Sequence, residues 1–163
     1  MYGVKCSSCH KTTDEKLDSR GVTGQLRADI ADFRAEARFI RALSYWHALD
    51  IFRNVPFVTE ADKVGSFFPN QTNAADLFKY IETELLDIEN KIKAPRTNEY
   101  GRADRAAVWT LLAKLYLNAE VYTGQKKYTE CLAVCEKVIA SGFTLEPQYQ
   151  QLFLADNHKS NEI

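Results

Sequence analysis

The sequence has no excess of charge of either sign and no long hydrophobic run. Its 163 residues carry 21 lysines and arginines against 22 aspartates and glutamates, a formal net charge of -1. A protein that neutralises a phosphate backbone needs a basic surface, so we expect no nucleic-acid partner. The apolar runs fall well short of the roughly 20 residues that a membrane-spanning helix requires. The sequence therefore predicts no membrane-spanning helix.

Patterns that accompany catalysis are also missing. His10, His47 and His158 lie far apart in the sequence, with no serine or cysteine nucleophile motif beside them. No glycine-rich loop of the kind that binds phosphate is present. Apolar and polar residues nowhere alternate over a length typical of a strand. These absences favour an all-α binding protein without a cofactor over an enzyme.

The first pair of cysteines raises one alternative. Cys6, Cys9 and His10 form the C-x-x-C-H motif of covalent haem attachment, in which two thiols bond the haem and the histidine binds iron. Met1 is the only methionine, and the flanks of the motif are polar. We therefore interpret the amino-terminal segment as a flexible arm in which the two cysteines occur by chance. A c-type haem protein is the least favoured hypothesis.

The second pair, Cys131 and Cys135, lies one helical turn apart on an apolar face. A free cysteine in that setting behaves as a small hydrophobic residue. A structural zinc ion would need two more ligands, which Cys6 and Cys9 could supply only if the arm folded back. The sequence therefore predicts a packing role and no metal.

Four amphipathic segments predict helices at about residues 25–52, 73–92, 108–122 and 127–140, because their apolar residues recur at steps of three and four. Pro56 follows the first segment, and Asn73 with Asp76 resembles a capping box before the second. Gly124 ends the third. The first segment carries two neighbouring apolar stripes, which we interpret as one wide buried face: Leu26, Ile30, Phe33, Ala37 and Ile40, and Ala35, Phe39, Ala42, Trp46 and Leu49.

A short turn joins the third and fourth segments, so they should pack as an antiparallel hairpin. The run Leu112–Leu117, with Cys131 as a small residue between helices, resembles the tetratricopeptide repeat. The first two segments could form a less regular hairpin with a longer loop. The predicted fold is therefore a single all-α domain of antiparallel, tetratricopeptide-like hairpins after a flexible arm at residues 1–22.

Several runs of residues resemble one known family. They are EARFIRAL from Glu36, VPFVTE from Val55, YGRA from Tyr100, LAKLYL from Leu112, and EKVI and SGFTL from Glu136 and Ser141. In this combination and order they resemble the SusD/RagB family of outer-membrane nutrient-binding lipoproteins. The resemblance covers residues 25–163.

The resemblance implies a function as well as a fold. Members of that family are longer, are attached to the membrane through a lipid on an amino-terminal cysteine, and combine tetratricopeptide-like hairpins with an irregular glycan-binding half. They are surface-exposed, cover a TonB-dependent transporter and pass it oligosaccharide, such as starch fragments, or peptide. Residues 23–163 are then expected to be the helical domain of such a protein, truncated at its C-terminal end and without catalytic activity.

One loop has the composition of a sugar site. Residues 63–72 include Phe67, Phe68, Asn70 and Gln71, and aromatic faces with nearby amides are the groups that bind a pyranose ring and its hydroxyls. The alternative is that the two phenylalanines plug the core from above. In the family, the corresponding loop region can contribute to ligand binding, so both interpretations remain open.

Other polar and aromatic residues are expected to have structural roles. Glu36, Arg38 and Arg41 lie within and beside the apolar stripes of the first helix, either as a solvated flank or as a hydrogen-bonded network, which we favour. Trp46 and Trp109 are interpreted as core residues. The alternative to a glycan-binding protein is a free-standing tetratricopeptide-like scaffold that binds a peptide helix.

Overall fold

The computed structural model describes residues 14–59, 62 and 68–159. We number its helices α1 to α6 and its two short strands β1 and β2. The helices are α1 Asp14–Ser19, α2 Gly24–Phe52, α3 Ala74–Ile88, α4 Arg105–Leu117, α5 Ala119–Thr123 and α6 Tyr128–Ile139. The strands are β1 Val55–Pro56 and β2 Gln71–Thr72, and two short 3-10 helices follow at Tyr149–Phe153 and Asn157–Lys159.

The predicted all-α fold is confirmed. Helix α2 packs against α3, and α4 packs against α6, so the helices associate as the two predicted pairs. Helix α3 also contacts α4 and α5, which joins the pairs around one core. The side chains at its centre are fully buried: Leu49, Leu77, Ile81, Leu85, Ile88, Leu112, Leu115 and Val108. Within the described residues, no helix has the length and hydropathy needed to cross a membrane.

Two of the helices, α3 and α4, begin with a side-chain cap. The side-chain oxygen of Asn73 accepts a hydrogen bond from the backbone N–H of Asp76 at 2.9 Å, as the capping box predicts. Asp104 caps α4 in the same way, because one carboxylate oxygen accepts from the N–H groups of Ala106 and Ala107 at 2.8 and 3.1 Å. Both caps satisfy donors that a helix start otherwise leaves unpaired.

The prediction of one continuous helix at residues 108–122 is wrong. The chain leaves helical geometry at Asn118 (φ -98°, ψ 9°), which separates α4 from α5. The Asn118 side-chain amide donates to the carbonyl of Lys114 at 3.2 Å, and asparagine side chains of this kind compete with helical backbone bonds. After the break, the Tyr122 hydroxyl donates to Asp50 Oδ1 at 2.6 Å, which joins α5 to α2.

The prediction that α2 buries one wide face is also wrong. Its core side consists of Ala35, Phe39, Ala42 and Leu49, each at most 7% exposed. Leu26, Phe33 and Ile40 of the other stripe are 55–57% exposed. Residues nine apart in a helix are separated by two and a half turns, so Ile40 lies opposite Leu49. Helix α2 therefore has two apolar faces, one in the core and one at the surface.

Part of the predicted arm at residues 1–22 is described. From Asp14 it contains α1, in which Leu17 is only 4% exposed. Asp18 forms an ion pair with Arg27 of α2, so this part of the chain contacts the helical body. Cys6, Cys9 and His10 lie outside the described residues, and the domain boundary at residues 22/23 stays a prediction.

Candidate functional site

The loop predicted to bind sugar is held at its base by β1 and β2. We call residues 57–70 the β1–β2 loop. The strands pair antiparallel, with Val55 opposite Thr72 and Pro56 opposite Gln71. The backbone N–H of Phe57 donates to the carbonyl of Asn70 at 3.0 Å and extends this pairing by one bond. The two ends of the loop are therefore fixed relative to the exit of α2.

An aromatic cluster supports the same loop from below. The Tyr45 hydroxyl donates to the carbonyl of Val58 at 2.7 Å and accepts from its N–H at 2.9 Å. The Phe57 ring centroid lies 5.2 Å from that of Tyr45 and 4.8 Å from that of Tyr80, distances typical of packed aromatic pairs. Burial raises the pKa of Tyr45, so its hydroxyl stays protonated as a donor. The loop thus rests on a rigid base formed by α2 and α3.

The structure places three of the four predicted sugar-binding residues at the surface. Phe68 is fully exposed and does not enter the core. Asn70 and Gln71 are exposed as well, and the Gln71 amide donates to the carbonyl of Asn54 at 3.3 Å. Phe67 lies outside the described residues. Phe68 and Asn70 therefore present an apolar ring and an amide to solvent just before β2.

A second candidate site is a groove of about 1070 Å³ that sequence reasoning missed. We call it the α2–α4 groove. Its apolar residues come from α2, α4, α6 and the segment after α6: Phe39, Leu43, Leu111, Val138, Ile139, Phe143 and Leu145. Its polar rim includes Arg96, Glu99, Tyr100, Arg102, Lys114 and His158. The run at Tyr100 contributed only to the family resemblance, because no local pattern relates these distant segments.

The rim of the groove is partly ordered by its own contacts. The Tyr100 ring lies 5.6 Å from the ring of His158, and its hydroxyl donates to Asn157 Oδ1 at 3.2 Å. The Arg96 guanidinium donates to the carbonyl of Gly142 at 2.6 Å. An apolar floor with an aromatic and charged rim suits a partly apolar ligand that also carries hydroxyl or carbonyl groups.

Arg38 and Arg41 join α2 to α3 through one carboxylate. Arg38 makes two hydrogen bonds to Glu84, at 2.8 and 3.0 Å, and Arg41 donates to the same carboxylate at 2.6 Å. A third bond joins Arg38 to Asp87 at 2.5 Å. The Glu84 side chain is 14% exposed and both arginines are 19% exposed. We call Arg38, Arg41, Glu84 and Asp87 the Glu84 cluster, and its geometry supports the structural role that we propose for both arginines.

Glu36 makes the corresponding connection to the α4 side of the groove. Arg102 donates to both of its carboxylate oxygens, at 2.7 and 3.1 Å. The Asn98 amide donates to Glu36 as well, at 2.9 Å, and to the carbonyl of Ala103 at 2.7 Å. These bonds fasten the 96–104 segment to α2, so Glu36 positions one wall of the groove.

The two tryptophans lie at the edge of the core. Trp46 is half-buried against it, and the Lys114 ammonium lies 5.3 Å from its ring centroid. Trp109 is also half-buried, and its indole N–H donates to Glu89 Oε1 at 2.7 Å. Lys137 of α6 donates to that same oxygen at 2.7 Å. Trp109 therefore belongs to a contact that joins α3, α4 and α6.

The Glu84 cluster is expected to make stability depend on acid pH. Burial of the Glu84 carboxylate opposes ionisation, but the hydrogen bonds from Arg38 and Arg41 outweigh it and lower its pKa. A carboxylate with a pKa below the unfolded value, about 4.3 for glutamate, stabilises the fold above that pH and loses this contribution as pH falls through the folded pKa. We expect Glu84→Gln to flatten the loss of stability as pH falls below the unfolded pKa of about 4.3, measured by urea unfolding.

Because the pKa of Asp87 and of Glu89 is also lowered, some acid dependence should remain in Glu84→Gln. A control variant, Lys79→Gln, changes an exposed charge on the same helix. Its pH profile should follow that of the unmodified protein. Identical profiles for Glu84→Gln and the unmodified protein would contradict the assignment.

Metal ligands do not cluster in the part of the chain that the structure describes. There, no three histidine, cysteine, aspartate or glutamate side chains are arranged to hold an ion. Cys131 and Cys135 are free thiols, and burial raises the pKa of Cys131. Cys131 packs against the core, and its thiol lies 3.4 Å from the carbonyl of Ala113.

Comparison with known proteins identifies relatives of one kind. No protein-family model matches the chain. It is 42% identical over 137 residues to the starch-binding protein SusD of Bacteroides thetaiotaomicron, a match that covers 84% of this chain and 24% of SusD. It is 26% identical over 135 residues to the SusD-like protein P25 of Formosa agariphila, covering 81% and 24% of the two chains.

Solved structures share the fold at lower identity. A SusD-like protein from Bacteroides fragilis matches with a TM-score of 0.72 at 16% identity, over 97% of this chain and 30% of the other. The surface glycan-binding protein A from Bacteroides uniformis matches with a TM-score of 0.69 at 20% identity, over 91% and 33%. The chain spans about a quarter of the length of the curated relatives. From the identity to SusD and the shared fold, the chain belongs to the SusD/RagB family and corresponds to its amino-terminal, tetratricopeptide-like part.

Proposed function

We propose that this chain is the helical scaffold of a carbohydrate-binding protein of the outer membrane, without catalytic activity. The observation that carries the proposal is its 42% identity to a starch-binding protein over 84% of its own length. The proposed ligand class is oligosaccharide, with starch as the first polysaccharide to test.

We place sugar contact at the β1–β2 loop. The fully exposed ring of Phe68 supplies an apolar face, and the exposed amides of Asn70 and Gln71 lie beside it in the chain. A sugar ring stacks on an aromatic face while amides bind its hydroxyls. Tyr45 and Phe57 hold the start of the loop, and the paired strands hold its base at Asn70 and Gln71, so these two residues lose little conformational freedom on binding.

The proposed cellular context follows from family membership. We propose that the protein acts at the cell surface, beside a TonB-dependent transporter that receives the oligosaccharide, and that it is attached to the outer membrane by a lipid. Its direct partners are then the nutrient ligand and the transporter. Reconstitution with a SusC-like transporter in detergent, followed by size-exclusion chromatography, tests that association.

Replacing Phe68 with alanine should weaken carbohydrate binding without destabilising the fold. Because aromatic stacking contributes about 1 kcal/mol, we expect the apparent affinity to fall about fivefold. Affinity electrophoresis of the 163-residue chain in gels containing amylopectin measures the effect, and a panel of other soluble polysaccharides extends it. The melting temperature should be unchanged, because the ring makes no core contact.

Phe153→Ala is the matched control, since that phenylalanine is 70% exposed on a different segment. It should not alter retardation. Ile139→Glu, at a 77% exposed position in the α2–α4 groove, distinguishes the two candidate sites. Loss of retardation in Ile139→Glu but not in Phe68→Ala would move the sugar site to the groove. Absence of retardation by every polysaccharide would contradict binding by this chain.

The groove also favours a second candidate function, a tetratricopeptide-like scaffold that binds a peptide helix. Its volume of about 1070 Å³ and its apolar floor suit such a segment. The effect of Ile139→Glu on ligand binding distinguishes a sugar-binding chain from a peptide-binding scaffold. Ile139→Glu would weaken peptide binding in the groove, whereas a sugar site at the β1–β2 loop would be unaffected.

A further inference from the structure

Two free thiols lie side by side on α6. Cys131 and Cys135 are four residues apart in this helix, and side chains at that spacing are neighbours, with Cβ atoms about 5–6 Å apart. Both thiols are free and partly buried. Burial and then the neighbouring Cys135 raise the pKa of Cys131, so the two thiols interact. Nothing in the proposed function uses this pair.

The surroundings of the pair are supplied by the hairpin that contains it. Cys131 packs against the core, and its Sγ lies 3.4 Å from the carbonyl of Ala113 on α4. Val134, which precedes Cys135 in the chain, is buried in the same core. The thiols therefore lie on the side of α6 that packs against α4. A site at this position depends on one hairpin of this chain and needs no open outer surface.

The spacing of the two thiols fits a bridging ion better than a disulfide. A disulfide needs Cβ atoms about 3.5–4.5 Å apart, closer than two side chains one helical turn apart, so oxidation of the pair would distort α6. A metal–sulfur bond is about 2.3 Å long, so two sulfurs that share one ion lie at most about 4.6 Å apart. Side chains at this helical spacing reach that separation while the helix stays intact.

The number and type of ligands select the ion. Among the residues that the structure describes, no third histidine, cysteine, aspartate or glutamate side chain joins the pair. Structural zinc takes four ligands, so two thiols serve it poorly, as the sequence analysis expects. Thiolates are soft ligands that favour Cu(I), and this closed-shell ion is stable with two sulfur ligands alone. The pair is therefore a complete ligand set for Cu(I).

From this geometry we propose that Cys131 and Cys135 bind one Cu(I) ion between their sulfur atoms. Each thiol loses its proton, so one ion replaces two protons, and the copper stays Cu(I) with no electron transferred. The contact between the Cys131 S–H and the Ala113 carbonyl is lost, but a thiol is a weak donor, and two metal–sulfur bonds replace it. Because the ion joins consecutive turns of α6, its binding should stabilise the folded chain.

Titration with Cu(I) under nitrogen tests the site. The ion is supplied as its acetonitrile complex in the presence of bicinchoninate, a chelator whose coloured Cu(I) complex reports what the protein leaves free. Cys6 and Cys9 also carry thiols, so every protein is made in the background Cys6→Ser/Cys9→Ser. We expect the background protein to bind one equivalent of Cu(I), to melt at a higher temperature with it, and to keep it when equimolar Zn²⁺ is added.

Removal of either thiol should weaken binding. Cys131→Ala and Cys135→Ala should each lower the apparent affinity for Cu(I) at least about tenfold, because one sulfur cannot bridge the ion. Alanine keeps a small apolar side chain at both positions, so circular dichroism should show unchanged helix content. Leu132→Ala, at an exposed position of the same helix, is the control and should bind one equivalent.

Moving one thiol tests the spacing while the number of thiols stays constant. The double variant C135A/E136C places the second thiol about 100° further around α6, at an exposed position, and should bind as weakly as Cys135→Ala. A background protein that binds no Cu(I) in competition with bicinchoninate would overturn the proposal. So would full binding by either alanine variant, or by C135A/E136C, since the arrangement of the thiols would then not matter.

Discussion

Leu112→Ala should lower the free energy of unfolding by about 3–4 kcal/mol, as deletion of a fully buried leucine side chain does in a well-packed core. Leu112 is 0% exposed in the middle of α4 and belongs to the core that joins both hairpins. The loss comprises the hydrophobic transfer energy of the removed atoms and the cavity that they leave. Urea unfolding followed by circular dichroism measures it as a lower midpoint at an unchanged slope.

Leu132→Ala is the matched control within the same hairpin. Leu132 lies on α6 and is 66% exposed, so its truncation should change the free energy of unfolding by less than about 0.5 kcal/mol. The two leucines have the same chemistry and comparable helical positions, and only their burial differs. Equal destabilisation by the two substitutions would contradict the packing of α4 against α6 described here.

Glu84→Ala should lower the free energy of unfolding by about 3 kcal/mol. The substitution leaves Arg38 and Arg41 without their shared carboxylate while both remain mostly buried. Removing the carboxylate of a buried ion pair is strongly destabilising, because Arg38 then keeps only its bond to Asp87 and Arg41 loses its bond to Glu84. For a chain of this length, that loss corresponds to a melting temperature lower by roughly 6–12 °C, which differential scanning calorimetry measures.

An exposed ion pair provides the comparison. Lys126 lies 3.7 Å from Glu120, and the two side chains are 66 and 45% exposed. Lys126→Ala should therefore cost less than about 1 kcal/mol. If Glu84→Ala is no more destabilising than Lys126→Ala, then Arg38 and Arg41 are solvated in solution, and the Glu84 cluster does not hold α2 on α3.

The helices and their pairing could be predicted from the sequence because their signals are local. Helix α2 was expected at residues 25–52 and occurs at Gly24–Phe52. Asn73 caps the start of α3 where expected. Gly124, which adopts a φ of 76°, follows the end of α5 where a helix end was expected. Each depends on bonds within one turn of the chain, so no knowledge of distant residues was needed.

Local sequence does not determine which face of a helix is buried, and the sequence-based predictions of the buried face were wrong on this point. On α6, Leu132 and Ile139 lie at helical steps of three and four from Cys135, yet they are 66 and 77% exposed, while Val134 is buried. On α2 both stripes are apolar and only one enters the core. Helical periodicity reveals that an apolar face exists, whereas the position of the neighbouring helix decides which face is covered.

The candidate sites divide in the same way. Phe68, Asn70 and Gln71 were identified by residue type alone, because they lie within four consecutive residues of the sequence. The α2–α4 groove combines Phe39, Leu111 and Ile139 from three helices, and the partner of Arg38 is 46 residues away. The sequence by itself determined where the helical segments lie, apart from the break at Asn118, and it determined their antiparallel pairs and the family. Tertiary structure alone decided which apolar face is buried, which charges meet and where a groove opens, because burial and ion pairing depend on the distances between segments that local patterns do not relate.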